Sequence, residues 1–296
     1  MKIIITGHSG FLGQHIVQSL SQNEIITIGR NKSNIIADLS KEIPLNVPPS
    51  DLVIHVAGKA HSVPKNDAEN KEFFAVNVIG TENLLSGLEA NLPKSFIFIS
   101  SIAVYGVEKG ENIDEDHPLN AADAYGKSKI IAEEVVQKWC KEKKIKCTIL
   151  RLPLLIGKNA PGNLGAMVKG IKKGYYLNIA GGKAKKSMVL ASDVAEIMLS
   201  AAEIEGIYNL TDGYHPTFFE LSNAIANKFG KSNPINVPKW TLAPFAKIGD
   251  LVGNSFPLNS NKLNKITSSL TFNDKKIRDK LIWKPKSVLL DDWISG

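Results

Sequence analysis

The first thirteen residues constrain the fold most strongly, because a buried strand there runs directly into a glycine-rich turn. Residues 3–5 are all isoleucine, and such a β-branched run is typical of a strand buried on both faces of a parallel sheet. Glycines follow at Gly7, Gly10 and Gly13, and from Phe11 the apolar residues recur at helical spacing. The stretch therefore predicts a strand, a tight turn and a helix.

In this order, the turn and the start of the helix form a cradle for a phosphate group. Backbone N–H groups point out of the turn, and the helix dipole adds about half a positive charge there. Gly7 permits the tight turn, Gly10 lets the backbone approach a pyrophosphate, and Gly13 lets the helix pack close to the strand. Glycines also mark ordinary turns, but their position between strand and helix predicts dinucleotide binding. The cofactor contacts assigned to this stretch are Gly7, Ser9, Gly10, Phe11 and Leu12.

The end of the second predicted strand, residues 25–28, bears on which dinucleotide is bound. In the NAD-binding form of this arrangement, an acidic residue about 20 residues beyond the glycines binds the ribose 2′-hydroxyl. Here Arg30 stands at that position with Lys32 nearby, and no carboxylate occurs between Glu24 and Asp38. A guanidinium grips a phosphate bidentately, so the sequence favours NADP. NAD stays open, since Arg30 would then stack on the adenine or face water.

Two further stretches are placed to contact the cofactor. Asp38 and Leu39 follow a short apolar pair and are expected to reach the edge of the adenine. Residues 51–58 read as another buried strand that ends in small residues, where a cofactor can approach closely. His61 and Lys65 lie just beyond, at the carboxyl edge where open α/β sheets bind their ligands. The cofactor contacts assigned here are Asp38, Leu39, Val56, Ala57, Gly58 and Lys59.

Predicted strands and helices alternate as far as residue 157, which indicates an α/β fold with a Rossmann-type, doubly wound parallel sheet and right-handed crossovers. Beyond this point the pattern loosens and prolines recur, so we expect a smaller, mixed α/β C-terminal substrate domain. The predicted cofactor domain comprises residues 1–160, with 186–212 returning to it. The predicted substrate domain comprises residues 161–185 and 213–296.

Composition excludes several other classes of protein. The net charge is +7, from 36 basic and 29 acidic residues, but the lysines are scattered and no recognition motif occurs, so we expect no nucleic-acid partner. A positive excess suits a small polyanion such as a nucleotide diphosphate. No apolar run approaches the roughly 18–20 residues of a membrane span, and the first strand leaves no room for a signal peptide. Cys140 and Cys147 make no metal motif, so we expect free thiols, no metal and a cytoplasmic location.

Tyr125 and Lys129 lie four residues apart on a helix predicted over residues 124–143, so they share a face. A phenol ionises at about pH 10, and a close ammonium lowers that pKa, which lets the pair transfer a proton at a carbinol or carbonyl carbon. Ser101 lies at the carboxyl end of a predicted buried strand and can hydrogen-bond the same substrate oxygen. The Tyr–Lys spacing alone is a weak signal. Together with the glycine cradle and the serine at the end of the strand, the spacing predicts a catalytic site at these three residues.

Four segments together resemble the extended short-chain dehydrogenase/reductase family, and within it the nucleotide-sugar epimerases, dehydratases and 4-keto reductases. They are Thr6-Gly-His-Ser-Gly-Phe-Leu-Gly13, His55-Val-Ala-Gly58, Ser100-Ser-Ile-Ala-Val-Tyr-Gly106 and Tyr125-Gly-Lys-Ser-Lys129. The resemblance implies that Tyr125 is the acid/base at the sugar and that Ser101 orients the reacting oxygen. It also implies that Lys129 holds the nicotinamide ribose and tunes Tyr125, so both residues contact the cofactor as well.

The same resemblance suggests substrate contacts further along the chain. The segment Arg151-Leu-Pro-Leu-Leu-Ile-Gly157 is similar to a family segment whose middle borders the nicotinamide, which assigns Pro153 to the cofactor. Asn163 matches an asparagine that contacts the substrate diphosphate. Lys186 stands where the family often has an arginine on the same diphosphate, and the two side chains are not equivalent there. The implied substrate residues are Ser101, Ile102, Asn163 and Lys186.

Two residues bear on which reaction the resemblance implies. The similar 4,6-dehydratases carry Asp-Glu directly after the active-site Ser or Thr, whereas this chain has Ile102 and Ala103, which cannot move a proton. A 4-keto reductase using NADPH and a 4-epimerase retaining NAD are left, and Arg30 favours the reductase. The segments Ala57-Gly-Lys-Ala-His61, Ser268-Ser-Leu-Thr-Phe272 and Trp283-Lys-Pro285 resemble enzymes of UDP-N-acetylhexosamine sugars in surface-polysaccharide synthesis.

Two further expectations come from the family. Some relatives bind NADP without catalysis and act as sensors, but these typically lack the Tyr–Lys pair, so this is the remote alternative. Family members often form homodimers through two helices, which correspond here to residues 68–90 and 125–143. A nucleotide-diphosphate sugar is therefore the expected small-molecule partner, and a second copy of the chain the expected protein partner.

Overall fold

The computed structural model describes residues 1–60, 64, 66–252, 259–290 and 293. His61 and Lys65, which the sequence places at the edge of the cofactor site, lie outside these residues. Strands and α-helices are numbered in chain order. The strands are β1 Lys2–Thr6, β2 Glu24–Gly29, β3 Ile35–Ile36, β4 Leu52–His55, β5 Ser95–Ser101, β6 Gly110–Ile113, β7 Lys146–Leu152, β8 Leu154–Ile156, β9 Leu177–Ile179, β10 Met188–Leu190, β11 Gly206–Asn209, β12 Ile235–Val237 and β13 Leu270–Phe272. The helices are α1 Phe11–Ser19, α2 Asp67–Phe74, α3 Gly80–Gly87, α4 Ala124–Lys143, α5 Gly162–Lys172, α6 Ala191–Glu196, α7 Met198–Ala201, α8 Phe218–Lys228, α9 Lys239–Val252, α10 Ser260–Thr267 and α11 Lys275–Lys280.

Seven of these strands form one parallel sheet in the order β3-β2-β1-β4-β5-β7-β11. β1 lies inside the sheet, where Ile4 pairs with Ile26 of β2 and with Val53 of β4. The chain order reverses on the two sides of β1, and ligands of such sheets bind in the crevice at that switch point. The predicted Rossmann-type, doubly wound sheet is confirmed.

The isoleucine run of β1 is continuous because helices cover both faces of the sheet. Ile3 and Ile5 pack on one face with Ile16 of α1, in a cluster that also includes residues of α6 and α7. Ile4 points to the other face and packs in a cluster with Leu84 of α3 and residues of α4. All three isoleucines of β1 are fully buried, and each contributes roughly 1.5–3 kcal/mol of hydrophobic stabilisation.

Outside this sheet, the described residues form three short parallel pairs, β8 with β10, β9 with β12 and β6 with β13. A separate core lies between α5 and α8, where Met167 and Ile225 are buried together. The β6–β13 pair brings Phe272 onto the ring of Tyr105, with the centroids 5.4 Å apart. The division into a cofactor domain and a substrate domain stays a prediction. No helix in the described part of the chain is both long and apolar enough to span a bilayer.

The single helix expected over residues 68–90 is instead α2, a π-helical turn over Ala75–Ile79, and α3. The side chain of Asn66 caps the start of α2 by accepting a hydrogen bond from the backbone N–H of Glu69, at 2.9 Å. π-helical turns are rare and frequently lie at functional sites. Here the turn contains Asn77, whose side chain is buried.

Candidate functional site

The glycine turn after β1 has the backbone geometry that the sequence predicts for a phosphate cradle. Gly7 has φ +69°, and a Cβ added there would lie 2.6 Å from the backbone nitrogen of Ala57. A Cβ on Gly13 would lie 2.1 Å from the carbonyl oxygen of Gly7. α1 begins after Gly10 without a side-chain cap, so the N–H groups of its first turn are available to a ligand. The cradle fits the pyrophosphate of a dinucleotide.

A buried histidine joins the ends of β1 and β4 beside this cradle. The Nδ1 atom of His55 is 2.6 Å from Oγ1 of Thr6, and its Nε2 atom is 2.9 Å from Oγ1 of Thr81. Thr6 Oγ1 also accepts a hydrogen bond from the backbone N–H of Ala57, at 3.1 Å. Burial and, secondarily, the Lys129 ammonium lower the pKa of His55 to about 3. The ring is therefore neutral and fixes the floor of the crevice.

The loop after β2 carries cations toward the same cradle. The Nε2 atom of His8, in the glycine turn, is 3.0 Å from the carbonyl oxygen of Lys32, which connects this loop to the turn. Arg30 is exposed, and within the described residues its guanidinium makes no hydrogen bond or ion pair. It is thus available for an anionic group of the cofactor, as the sequence predicts.

Asp38 and Leu39 follow β3 and lie in a turn of their own. The Asp38 carboxylate accepts a hydrogen bond from the Ser40 hydroxyl at 2.7 Å and lies 3.3 Å from the Lys41 ammonium. These contacts, that of Ser40 first, hold the pKa of Asp38 below its usual range. Leu39 is buried, and its carbonyl oxygen accepts a hydrogen bond from Asn83 at 2.7 Å. Their contact with adenine stays a prediction.

Asn77 connects the cofactor edge of β4 to the helix that carries Tyr125. Its Oδ1 atom accepts the backbone N–H of Lys59 at 2.7 Å, and its Nδ2 atom donates to the Lys59 carbonyl at 3.1 Å. Nδ2 also donates to the Ser128 hydroxyl at 2.9 Å, and that hydroxyl donates to the Tyr125 carbonyl at 2.7 Å. This role of Asn77 was not predicted from the sequence, although a polar residue within the apolar stripe of a helix was a signal for it.

The structure brings the predicted catalytic residues Ser101 and Tyr125 together. Ser101 ends β5, its side chain accepts the backbone N–H of Ala103 at 3.2 Å, and its hydroxyl lies next to the Tyr125 phenol. The Tyr125 ring packs against Phe73, with the centroids 6.0 Å apart. Burial raises the pKa of Tyr125, and the Ser101 hydrogen bond opposes that rise. The lowered pKa expected from a close ammonium is therefore not observed.

Lys129 is turned toward the sheet, which explains that difference. Its ammonium donates to the Ile99 carbonyl at 2.7 Å and lies 3.9 Å from the centroid of the Phe98 ring. The residue is only 5% exposed. Burial lowers the pKa of Lys129 to about 7, and the Glu133 carboxylate opposes this shift. At neutral pH the charged and the neutral forms of this lysine are therefore both populated.

A buried ion pair fixes α4 to the sheet one turn beyond Lys129. The Nη2 atom of Arg151 lies 2.7 Å from Oε2 of Glu133, and both side chains are at most 3% exposed. The Ser100 hydroxyl donates to the other carboxylate oxygen at 2.5 Å, and Nη1 of Arg151 donates to the Tyr105 hydroxyl at 3.1 Å. This network holds α4, and with it Tyr125, at a fixed height above β5 and β7.

Four predicted contacts of the cofactor or the substrate remain, namely Pro153, Ile102, Asn163 and Lys186. Pro153 is buried directly after β7, and the same segment ends at Gly157, where a Cβ would lie 2.9 Å from the Phe11 ring. Ile102 follows Ser101 in a short 3₁₀ turn. Asn163 is exposed in the first turn of α5.

Lys186 is half-buried, and burial lowers its pKa while the Glu108 carboxylate raises it. In the described chain, no hydrogen bond or ion pair links Asn163 or Lys186 to Ser101 or Tyr125. Their binding to a diphosphate stays a prediction. Among the described residues, no group of three or more His, Cys, Asp or Glu side chains could hold a metal ion.

The comparisons with known proteins identify the family of the chain. The model of the NAD dependent epimerase/dehydratase family matches residues 3–210. The N-acetyl-alpha-D-glucosaminyl-diphospho-ditrans,octacis-undecaprenol 4-epimerase of Escherichia coli O157:H7 is 26% identical over 93% of this chain and 88% of its own length. A putative UDP-glucose 4-epimerase of Methanocaldococcus jannaschii is 30% identical over 77% of this chain and 82% of its own.

Two solved structures with the same fold were determined with a nicotinamide dinucleotide bound. RMD from Pseudomonas aeruginosa, complexed with NADPH, superimposes with a TM-score of 0.74 at 22% identity, covering all of both chains. The UDP-glucose 4-epimerase of Thermus thermophilus, complexed with NAD, also gives 0.74 at 23% identity and covers 100% of this chain and 99% of its own. The two sequence relatives and the Thermus thermophilus protein are 4-epimerases by name. This agrees with the predicted class of enzymes acting at C4 of a sugar and with the epimerase alternative, but it does not specifically support the 4-keto reductase that Arg30 favoured.

Proposed function

The chain belongs to the NAD dependent epimerase/dehydratase family, and we propose that it is a 4-epimerase of an N-acetylhexosamine joined to a diphosphate. The observation that carries the proposal is the Ser101–Tyr125 pair at the carboxyl end of β5, beside a glycine cradle that fits a dinucleotide. The residues after the serine, Ile102 and Ala103, offer no acid or base for removing water from the sugar. These groups support epimerisation at C4 of the sugar.

Tyr125 takes the proton of the C4 hydroxyl and later returns it to the C4 oxygen. Ser101 holds that oxygen within reach of the phenol, and its hydrogen bond favours the ionised phenol against the effect of burial. When bound, the nicotinamide supplies the acceptor and the donor of the hydride. The keto sugar has to turn over between the two transfers, so that its other face receives the hydride and the configuration at C4 is inverted.

Lys129 assists by charge rather than by direct contact with the sugar. In this structure its ammonium donates a hydrogen bond to the Ile99 carbonyl, and a rotation about its flexible side chain would bring it toward Tyr125. With its pKa at about 7, Lys129 in its protonated form can place a positive charge beside the phenolate. The buried Glu133 carboxylate favours the charged form.

A 4-keto reductase is the second candidate, and Arg30 is the observation that favours it. The exposed guanidinium beside the glycine turn suits the 2′-phosphate of NADP, and a reductase draws on exchangeable NADPH. An epimerase keeps its cofactor and consumes none, so the two reactions differ in their need for a reductant. We propose NADP as the preferred cofactor because of Arg30, which is also the residue that favours the reductase. Tightly retained NAD would favour the epimerase.

The experiment that separates these functions follows the sugar and the cofactor together. Purified protein is incubated with UDP-linked and with prenyl-diphosphate-linked N-acetylglucosamine, and in a parallel reaction with a UDP-linked 4-keto sugar. C4 epimers are resolved by NMR while nicotinamide absorbance is recorded. An epimer formed without net cofactor oxidation supports the epimerase. Oxidation of NADPH that occurs only with a 4-keto sugar supports the reductase instead of the epimerase. Tight NADP binding without either reaction would identify the non-catalytic sensor.

We also propose that the protein is a homodimer through the surfaces of α2–α3 and α4, as the family resemblance implies. These helices already pack on each other through Asn77 and Ser128, which leaves their outer faces for a second copy. Light scattering on the purified protein gives the mass directly, and a monomer at micromolar concentration would contradict the dimer. The predicted cytoplasmic location and the predicted lack of a nucleic-acid partner stay predictions.

A further inference from the structure

Helix α9 exposes an apolar face that none of the roles described so far requires. Trp240, Phe245 and Ile248 are 76%, 54% and 48% exposed. At the α-helical repeat of about 3.6 residues per turn these three side chains fall within one sector of the helix surface. The opposite side of α9 carries the buried Ala246 and Gly249, and α9 packs against α10. The helix is therefore anchored on one side and leaves three large apolar side chains in water on the other.

The segment of the chain that carries this face has a positive net charge. Residues 228–267 contain six lysines and one aspartate, with no arginine and no glutamate. Lys247 is exposed on α9 next to the apolar sector. The one acidic side chain, Asp250, accepts hydrogen bonds from the backbone N–H and the hydroxyl of Ser260 at 2.9 and 2.5 Å, so it serves as a cap for α10. An apolar sector with lysines beside it complements the surface of an anionic bilayer.

The same charges argue against a second copy of the chain as the occupant. In a two-fold symmetric contact each copy presents the same patch, so the lysines of one α9 would meet those of the other. Like charges brought together in a partly desolvated contact disfavour it. Anionic headgroups, in contrast, neutralise Lys247 and the neighbouring lysines while Trp240 enters the interfacial region, where tryptophan is enriched in membrane proteins.

Helix α9 is connected through its neighbours to Lys186, a predicted contact of the substrate diphosphate. α10 packs on α9, and its Lys265 lies 3.1 Å from Glu108. Glu108 raises the pKa of Lys186, and Lys265 lowers it. The backbone of Lys186 also forms a β-bridge with Leu270, just beyond α10. The apolar face of α9 and the predicted diphosphate anchor are thus connected through one helix.

We propose that the face of α9 formed by Trp240, Phe245 and Ile248 docks into the headgroup region of an anionic membrane, where the enzyme meets a sugar diphosphate carried on a lipid. The second half of this statement rests on the proposed function, because it requires a diphosphate-linked sugar as substrate. The docking itself does not. Binding is peripheral and reversible, through one amphipathic helix and its lysines.

The test is co-sedimentation of the full chain with vesicles of phosphatidylcholine, with and without phosphatidylglycerol. Wild type should bind the anionic vesicles, and binding should weaken as salt is raised. The triple variant Trp240→Ser, Phe245→Ser, Ile248→Ser should bind at least about tenfold more weakly, because it loses the buried apolar area. Ile282→Ser is the matched control, since Ile282 is 88% exposed outside α9. It should bind like wild type.

Three results would overturn the docking. Wild type could fail to bind anionic vesicles, the triple variant could bind as well as wild type, or the triple substitution could convert a dimer to a monomer in light scattering. A membrane role also predicts a split in activity. The triple variant should keep its turnover of a UDP-linked sugar and lose at least about tenfold on a prenyl-linked sugar in vesicles. Vesicle binding without any epimerase activity would leave the docking standing and refute the proposed function alone.

Discussion

Replacing Glu133 with glutamine should destabilise the protein strongly, because it leaves the Arg151 guanidinium as an unpaired charge in the core. Three hydrogen bonds join these two side chains, at 2.7 to 3.3 Å, and neither is more than 3% exposed. Breaking a buried pair from one side costs about 3–5 kcal/mol. At about 2 °C per kcal/mol for a chain of this size, we expect the melting temperature to fall by roughly 6–10 °C.

The same substitution should alter the titration of Lys129. The Glu133 carboxylate opposes the effect of burial on the pKa of Lys129, so without it that pKa should fall below about 7. Less Lys129 would then be charged at neutral pH. We expect the loss of turnover in Glu133→Gln to be larger at pH 8 than at pH 6, when each is compared with wild type at the same pH.

Thermal and urea unfolding monitored by circular dichroism provide the stability measurement. The matched control is Glu134→Gln, since Glu134 is the next residue on α4 and is exposed. Exposed substitutions of this kind change stability by about 0.5 kcal/mol or less. If Glu133→Gln unfolds at the same urea concentration as Glu134→Gln, the ion pair does not hold α4 as described and this reasoning is wrong.

Three further predictions concern other charged groups. Burial holds the pKa of Lys129 at about 7 against its usual 10.5, so the unfolded chain binds this proton more tightly and stability rises with pH between those values. Lys129→Met should therefore be inactive yet more stable than wild type at pH 7 and below, by at most about 5 kcal/mol, with no gain above about pH 10.5 in urea titrations. The pKa of His55 is lowered from 6.5 to about 3, so the unfolding free energy should fall by up to about 1.4 kcal/mol per pH unit between those values as pH decreases. His55→Gln should show a flatter slope, and an equal slope would contradict the assignment. Arg30→Ala should weaken NADPH binding roughly 10–30-fold in calorimetry and NADH binding by less than about twofold; equal losses for both would remove Arg30 from the 2′-phosphate.

The parts of the fold that were predictable from the sequence are those encoded within a short window. The isoleucine run, the spaced glycines and the first helix are contiguous, and each has one sterically favoured arrangement. The Tyr125–Lys129 spacing likewise fixes a shared helix face before any tertiary contact forms. The alternation of strands and helices then led to the parallel sheet.

The parts that were not predictable depend on pairs far apart in the chain. Asn77 reaches Ser128, and Thr6 reaches His55, but no local pattern records these partners. The direction of Lys129 toward the Ile99 carbonyl is set by the depth of α4 on the sheet, which depends on the Glu133–Arg151 pair. The raised pKa of Tyr125 has the same origin, since it reflects burial rather than spacing. The exposed apolar face of α9 was not predicted, because this part of the sequence indicated only a small mixed domain.

The central claim is that Tyr125 moves the proton at C4 of a diphosphate-linked sugar. The most direct test compares wild type and Tyr125→Phe in the interconversion of C4 epimers, followed by NMR, with the NADPH dissociation constant measured for both. The phenylalanine keeps the ring against Phe73 and removes only the hydroxyl. We expect wild type to interconvert the epimers and Tyr125→Phe to be slower by about 10²–10⁴-fold with unchanged cofactor affinity. Tyr125→Phe turning over within a few-fold of wild type would contradict the account.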